Sequence, residues 1–254
     1  MKKLSSEVRL DAFSLTDIGR VRSHNEDSAG LIKGPGFIVL SVFDGMGGHQ
    51  RGEVASSLAL NTIKEVFEPL GKAPSPTAAK RLIRSALKEA NSRVIEMAKA
   101  RPECHGMGTT AVVALVLEKV TIVASLGDSR AYILKPDRVT IKQITQDDSY
   151  VRLLVERGTI TRQQARSHPD RNIITNALGI KDRMTCHIQE IPNDYTYIML
   201  CSDGLYTMVT DGSIGRILRK DTDVQHKVIA LINTANDAGG KDNISVALLE
   251  RRRA

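Results

Sequence analysis

Four aspartates follow or precede apolar segments or tight turns in a way that is typical of strand ends. They are Asp44, Asp128, Asp203 and Asp242. An acidic pair, Glu26-Asp27, lies ahead of the apolar run at residues 37–43. If these strand ends meet at one edge of the fold, four to six carboxylates share a small volume.

Ionised carboxylates a few ångströms apart repel one another and would take up protons unless a counter-charge is present. Oxygen ligands select hard cations such as Mg²⁺ or Mn²⁺ rather than zinc. Two such ions, roughly 3.5–4 Å apart and bridged by a carboxylate, can lower the pKa of a water held between them. The pattern therefore indicates a two-cation hydrolytic centre. A single Asp-Gly pair is more often only a turn, and Asp211-Gly212 is interpreted in that way.

Arg22 is the candidate for binding a phosphate. It precedes Asp27 by five residues, so that a turn can aim it at the same site, and a guanidinium matches the geometry of a phosphate. Gly45, Gly47 and Gly48 form a glycine-rich run that lacks the Lys-Ser/Thr of a P-loop and the spacing of a dinucleotide fingerprint. These glycines are interpreted as allowing close backbone approach, with a carbonyl near Gly45 available to a cation.

Composition narrows the class of protein. The 254 residues suit one large domain spanning 1–254. No apolar stretch follows the basic residues near Met1, so a secretory signal is not expected. The apolar runs are too short to cross a bilayer, and the three cysteines lack metal or redox spacing. A monomeric cytoplasmic protein is expected. The net charge is +7, but basic residues are scattered and aromatics make up only 4%, so nucleic-acid binding is not expected.

Strands in adjacent runs and helices in separate pairs predict an α+β fold with mainly antiparallel sheets. Strands are predicted at residues 10–15, 37–43, 108–117, 120–126, 131–134, 139–144, 195–202 and 244–249, and helices at 53–70, 77–100, 149–157, 213–219 and 223–238. Thr77 is the expected cap of the second helix. Residues 146–171 are polar and irregular, and they are interpreted as a mobile flap-like insertion beside the site.

Taken together, these motifs resemble the metal-dependent protein phosphatases of type 2C in their short bacterial form. The matching stretches, in the order of that family, are Thr16-Asp17-Ile18-Gly19-Arg20-Val21-Arg22-Ser23-His24-Asn25-Glu26-Asp27, Val42-Phe43-Asp44-Gly45-Met46-Gly47-Gly48-His49, Gly108-Thr109-Thr110, Gly127-Asp128-Ser129-Arg130-Ala131-Tyr132, Cys201-Ser202-Asp203-Gly204-Leu205 and Gly240-Lys241-Asp242-Asn243-Ile244.

The resemblance implies a four-layer α/β/β/α sandwich with the metal cleft at one edge. It implies that Asp44 bridges two Mn²⁺ or Mg²⁺ ions, that Gly45 offers its carbonyl, and that Asp203 and Asp242 hold the first ion. The remaining implied roles are support of the second ion by Glu26 and Asp27 through water, a weaker third ion at Asp128 with Asp203, phosphate binding by Arg22, and support of the site by Asn243.

Two positions depart from the family pattern. Met46 stands where many animal relatives have a histidine proposed as the general acid, so the general acid is unassigned, and His49 is expected to be structural or solvent-facing. Asp148 stands where bacterial members usually have a histidine at the start of the flap, and its role is open.

The predicted function is hydrolysis of phosphoserine and phosphothreonine in proteins by a metal-activated bridging water. Phosphorylated proteins are the expected substrates and a cognate Ser/Thr kinase the expected partner. Two alternatives are a non-catalytic, metal-stabilised scaffold that binds phosphoproteins or a kinase, and a metal-dependent nuclease suggested by the basic pI of about 9.4.

Overall fold

Two antiparallel sheets lie face to face between two layers of helices. The computed structural model describes residues 8–47, 51–166 and 168–253, so Gly48 and His49 lie outside the described residues. In spatial order, the first sheet consists of β1 (Val8–Asp17), β11 (Ile244–Arg253), β10 (Tyr197–Cys201), β7 (Arg130–Leu134) and β8 (Lys142–Gln143).

The second sheet contains the most continuous apolar strands. In spatial order it consists of β2 (Asp27–Gly34), β3 (Phe37–Met46), β5 (Ala111–Val116), β6 (Val120–Leu126) and β9 (His187–Pro192), and the short β4 (Gly108–Thr109) pairs with the end of β3. Strands β5 and β6 form the hairpin that the sequence predicts.

The helices divide between the two outer layers and the flap. Against the second sheet lie α1 (Arg51–Phe67) and α2 (Pro76–Ala100); the flap carries α3 (Tyr150–Glu156) and α4 (Arg162–Arg166); and the segments α5 (Asp203–Tyr206), α6 (Asp211–Leu218) and α7 (Val224–Asp237) belong to the first sheet's side. A 3-10 turn, Pro102–Cys104, follows α2.

Strand β3 shows why a continuous apolar run is needed at the centre of four layers. Phe37, Val39 and Phe43 pack among the residues of α1 and α2. Leu40 and Val42 face the opposite sheet instead. Because successive side chains of a strand point to opposite faces, a strand covered on both sides must be apolar at nearly every position. The predicted α+β sandwich with helices outside both sheets is confirmed.

Several element boundaries differ from the sequence prediction. Strands β2 and β9 were not predicted, because glycine, lysine and glutamate interrupt their apolar pattern. The strand expected at residues 139–144 shortens to β8. Ser75 caps α2 in place of Thr77, its hydroxyl accepting from Ala78 N. Asp211, expected in a turn, lies in the first turn of α6 after the cap Thr210.

The pairing brings the acidic residues to one edge of the sandwich. Strand β2 begins opposite the end of β3, so that Asp27 pairs with Asp44. In the other sheet β10 ends at Cys201, opposite both Arg130 at the start of β7 and Val246 near the start of β11. Because neighbouring strands run antiparallel, the end of one strand lies beside the start of the next at this edge.

Over the described residues, the helices are too short or too polar for one of them to cross a bilayer.

Candidate metal centre

Five aspartates, contributed by both sheets, interact electrostatically in one cleft. Asp44 experiences repulsion from Asp27, Asp203, Asp128 and Asp242. Burial, reinforced by this repulsion, raises the pKa of Asp44 and of Asp203 well above the ordinary value. The structure thus brings together the aspartates that the sequence analysis singled out, and it places them where their combined negative charge is costly.

In the acidic pair Glu26-Asp27, the Asp27 carboxylate is the more deeply buried. Its relative exposure is 7%, and burial raises its pKa to about 7 although hydrogen bonds from Ser202 and Ser245 oppose the shift. The Ser202 hydroxyl donates to Asp27 Oδ2 over 2.7 Å and accepts from Ser245 N over 2.9 Å. Ser202 therefore links the acidic start of β2 in one sheet to β11 in the other.

Glu26 and Asn243 hold the connection between the first two strands in place. The Asn243 side-chain oxygen accepts from Glu26 N over 2.8 Å, and its amide nitrogen donates to the carbonyls of Ile18 and His24 at 2.9 Å each. Glu26 Oε1 accepts from Gly52 N at the start of α1 over 3.3 Å. Asn243 thus acts on the loop that carries Arg22, and Glu26 directs one oxygen at the helix start.

Gly45 lies where no side chain fits. A Cβ at this position would lie 2.2 Å from the Gly52 carbonyl oxygen and 2.4 Å from that of Glu26. Its N–H donates to the Glu26 carbonyl over 3.2 Å. The close approach of three backbone segments explains the glycine, in agreement with the interpretation of the glycine-rich run.

Arg22 lies at the rim of the cleft. Its Nη2 donates to Asp242 Oδ2 over 2.8 Å, and its side chain is 51% exposed. Burial opposes the charge of Arg22, but Asp242, Glu26 and Asp203 outweigh that effect and raise its pKa. A guanidinium held by one carboxylate at an open rim has further N–H donors with which it can bind an anion.

Asp128 occupies a turn between β6 and β7. It is 6% exposed, and its Oδ1 is buried without a hydrogen-bond partner among the described residues. Burial, with repulsion from Asp147, raises its pKa to about 6. Tyr206 OH donates to its other oxygen over 3.4 Å, and the Arg130 guanidinium stacks on the Tyr206 ring at 3.5 Å.

The donor set fits hard divalent cations. It consists of aspartate oxygens with a nearby glycine carbonyl, an oxygen-only environment. The buried Asp128 Oδ1 and the raised carboxylate pKa values both indicate negative charge that a cation would neutralise. Within the described residues, the acidic, histidine and cysteine side chains form no group of three or more that could hold a metal ion as they are placed.

Three further residues of the cleft were not among the predicted site residues. Thr110 Oγ1 accepts from Asp44 N over 3.0 Å and contacts Ser129 Oγ at 2.7 Å. Ser202 and Tyr206 contact Asp27 and Asp128 as described above. Thr110 and Ser202 stand inside the motifs that carry the family resemblance, whereas no sequence pattern marks Tyr206.

Comparison with known proteins decides the family. The family model described as protein phosphatase 2C matches residues 19–248. The chain belongs to the protein phosphatase 2C family. The predicted family is thereby confirmed, and with it the prediction of a phosphatase rather than a non-catalytic scaffold.

Two bacterial relatives illustrate how much of the chain is shared. The "Serine/threonine phosphatase stp" of Listeria welshimeri is 34% identical over 238 residues, covering 93% of this chain and 94% of that protein. The structure of the serine/threonine phosphatase Stp1 from Staphylococcus aureus matches with a TM-score of 0.89 and 38% identity, covering 95% of each chain.

A third match is a structure that contains manganese. The catalytic domain of the serine/threonine protein phosphatase PstP, in complex with 2 manganese ions, matches with a TM-score of 0.81 and 31% identity, covering 96% of this chain and 99% of that one. These structural matches confirm the predicted fold.

Proposed function

We propose that this member of the protein phosphatase 2C family hydrolyses phosphoserine and phosphothreonine in proteins, using two divalent cations held in the acidic cleft. The proposal depends on one observation: the buried Asp44 is close enough to four other aspartates to be repelled by them, and the exposed Arg22 lies beside this group. The four are Asp27, Asp128, Asp203 and Asp242. The names of the relatives as serine/threonine phosphatases support the same substrate class.

The proposed ligands are Asp44 shared between the ions, the Gly45 carbonyl, and Asp203 with Asp242. Asp128 is the proposed ligand of a weaker third ion, and Glu26, Asp27 and Asn243 support the site. Bound Mn²⁺ or Mg²⁺ supplies charge neutralisation and makes water a stronger acid. The manganese ions of the PstP structure support the choice of metal and the number two.

Arg22 binds the substrate phosphate in this proposal. Its guanidinium projects from the loop at residues 18–26, in which the carbonyls of Ile18 and His24 accept from the Asn243 side chain. The contact with Asp242 orients the side chain while leaving it half exposed. A fixed fork of N–H donors lowers the cost of ordering the phosphate for in-line attack, so that positioning and electrostatics supply most of the rate gain.

The proposal extends to the cellular setting that the sequence suggests. A monomeric cytoplasmic enzyme would act on phosphorylated proteins and oppose a Ser/Thr protein kinase that shares those substrates. The net charge of +7 favours the approach of phosphorylated, acidic segments by long-range attraction.

Phosphate release tests the proposal directly. Purified protein with excess Mn²⁺ is expected to release phosphate from phosphoserine and phosphothreonine peptides, and to lose that activity with a chelator. Asp44→Asn removes the proposed bridging charge and is expected to reduce turnover by about a thousandfold or more. An Asp44→Asn protein that retains wild-type turnover at saturating Mn²⁺ would refute the site, and cleavage of nucleic acid without release of phosphate from peptides would refute the substrate class.

A further inference from the structure

Asp148 joins four segments of the chain through one carboxylate that is largely shielded from solvent. Its side chain is only 11% exposed. Oδ2 accepts from Gly127 N over 3.2 Å and from Asn176 Nδ2 over 2.7 Å. Oδ1 lies 3.1 Å from His187 Nε2 on β9 and 4.0 Å from Arg152 Nη1 on α3. This is one of the two positions at which the sequence departs from the family pattern.

The backbone of Asp148 doubles the connection to Gly127. Asp148 N donates to the Gly127 carbonyl over 2.8 Å, and its own carbonyl accepts from Thr175 N over 2.8 Å. Both backbone polar groups of Gly127 are therefore bonded to residue 148. Gly127 has φ +89, and a Cβ there would lie 2.7 Å from Thr110 Cβ, so the turn is packed between Thr110 on one side and the flap on the other.

The preceding residue holds the other end of the same turn. Asp147 receives a two-pronged contact from Arg130, with Nε 3.0 Å from Oδ1 and Nη2 2.6 Å from Oδ2. Gln143 Nε2 also donates to Asp147 Oδ1 over 2.8 Å, and Arg152 Nη1 donates to its carbonyl over 2.7 Å. Consecutive aspartates at the start of the flap thus hold residues 127 and 130.

Asp128 lies between the two held positions. Its Oδ1 has no hydrogen-bond partner among the described residues, and its Oδ2 is contacted by the Tyr206 hydroxyl over the long distance of 3.4 Å. Its placement consequently depends on the backbone of the turn. That backbone in turn depends on whether Asp147 and Asp148 keep their contacts, because a buried donor that loses its acceptor destabilises the conformation that buries it.

We propose that Asp148 is a positioning residue that, together with Asp147, clamps the 127–130 turn and couples the order of the flap to the placement of Asp128. Arg152 supplies positive charge near the Asp148 carboxylate, and the His187 ring contacts the same carboxylate from β9. The consequence for catalysis rests on the proposed function, since Asp128 is there a cation ligand. The clamp itself is a property of the fold and can be measured without substrate.

Hydrogen exchange of the metal-free protein tests the clamp. In Asp148→Ala, amides of residues 127–130 and 174–176 are expected to exchange about tenfold faster or more, because Gly127 N–H and Asn176 lose their acceptor. Asp148→Asn retains one acceptor oxygen and is expected to give an intermediate increase. Asp170→Asn makes the same chemical change at an exposed flap position and is expected to leave these amides at the wild-type rate.

Calorimetry and kinetics test the coupling to Asp128. Asp148→Asn is expected to weaken the weakest Mn²⁺ binding step by about tenfold and to lower kcat, while the KM for phosphopeptide changes by less than about twofold because Arg22 is untouched. Asp147→Asn is expected to change both quantities in the same direction.

Two outcomes would overturn the proposal. One is exchange at residues 127–130 that stays at the wild-type rate in Asp148→Ala. The other is an increase spread evenly over the core strands, which would mean that Asp148 stabilises the whole fold and not this turn. A wild-type protein that releases no phosphate would refute the proposed function, whereas the exchange experiment on the turn would still decide the clamp.

Discussion

Asp203 and Asp128 lie in the same cleft, yet different parts of the molecule hold them in place. Asp203 begins α5 directly after the buried Ser202, which follows β10, and every residue of β10 is buried. Asp128 lies on a turn whose two ends are bonded to Asp147 and Asp148 at the start of the flap. A carboxylate at the end of a central strand is positioned by the core itself. A carboxylate on a turn is positioned by the segments that pack over that turn. The contacts of the flap therefore bear directly on the placement of Asp128.

The largest expected effect separates two Asp-Gly pairs that look alike in sequence. Asp203→Asn removes a carboxylate from the cleft, and turnover is expected to fall by about a thousandfold or more. Asp211→Asn makes the same change at an exposed residue in the first turn of α6. Turnover of the Asp211 variant is expected to stay within about twofold of wild type. Phosphate release from a phosphoserine peptide at saturating Mn²⁺ measures the turnover of both variants. Equal losses of turnover would show that Asp203 is no more important to the reaction than Asp211.

Arg22→Ala is expected to act on substrate binding. Loss of charge-assisted hydrogen bonds to the phosphate should raise the KM for phosphopeptide by about tenfold to a hundredfold, with a smaller change in kcat. Arg20, two residues earlier and also exposed, provides the control through Arg20→Ala. An unchanged KM in the Arg22 variant would remove that residue from the phosphate site.

The carboxylates of the cleft predict a pH dependence of stability in the metal-free protein. Their pKa values in the folded protein are raised, to about 7 for Asp27 and about 6 for Asp128. Between the ordinary aspartate pKa and these values the folded state binds more protons than the unfolded state, so the free energy of unfolding falls as the pH rises. Thermal unfolding without metal should show Tm decreasing from about pH 4 to pH 7, by about 2–4 °C for each kcal/mol.

Added Mn²⁺ should raise Tm more at pH 7 than at pH 5, because cations bind the deprotonated carboxylates. An equal effect of Mn²⁺ at the two pH values would argue against carboxylate ligation.

The smallest expected effect is that of replacing Tyr206, whose hydroxyl contacts Asp128. Tyr206→Phe removes a hydrogen bond of 3.4 Å and keeps the ring under Arg130. Turnover is expected to fall by about threefold or less. Tyr150→Phe on the flap, where the side chain is partly exposed, should leave turnover unchanged. A loss for Tyr206→Phe as large as that for Asp203→Asn would make the hydroxyl part of the reaction itself.

The prediction of strands from sequence succeeded where strands are covered on both faces. The apolar run at residues 37–43 lies within β3, and the hairpin at β5 and β6 has apolar residues at nearly every position. Strands β2 and β9 were missed because each lies at an edge of the second sheet, where exposure permits lysine, glutamate and histidine. The arginines at residues 251–253 lie beyond the strand predicted at 244–249. They extend β11 opposite Val8–Leu10, because strand pairing with β1 does not require apolar side chains there.

The contacts of Asp148 illustrate what a motif cannot specify. In sequence it stands 21 residues from Gly127, 28 from Asn176 and 39 from His187. Which of these residues meets its carboxylate depends on how the flap folds back on the 127–130 turn. That Asp148 departs from the family pattern was visible in the sequence. Its contact with His187 on β9 was not.

The sequence by itself determined the α+β class and the residue types of the cleft, because hydrophobic periodicity and carboxylates at strand ends are local properties of the chain. The family and the four layers followed from the resemblance of its motifs to a known family. Only the tertiary structure decided which backbone groups surround each carboxylate, how far burial shifts its pKa, and which segment holds the turn of Asp128. Those properties depend on distances between residues that are far apart in the chain, such as Arg22 and Asp242, which are 220 positions apart, and such distances exist only after the two sheets have packed together.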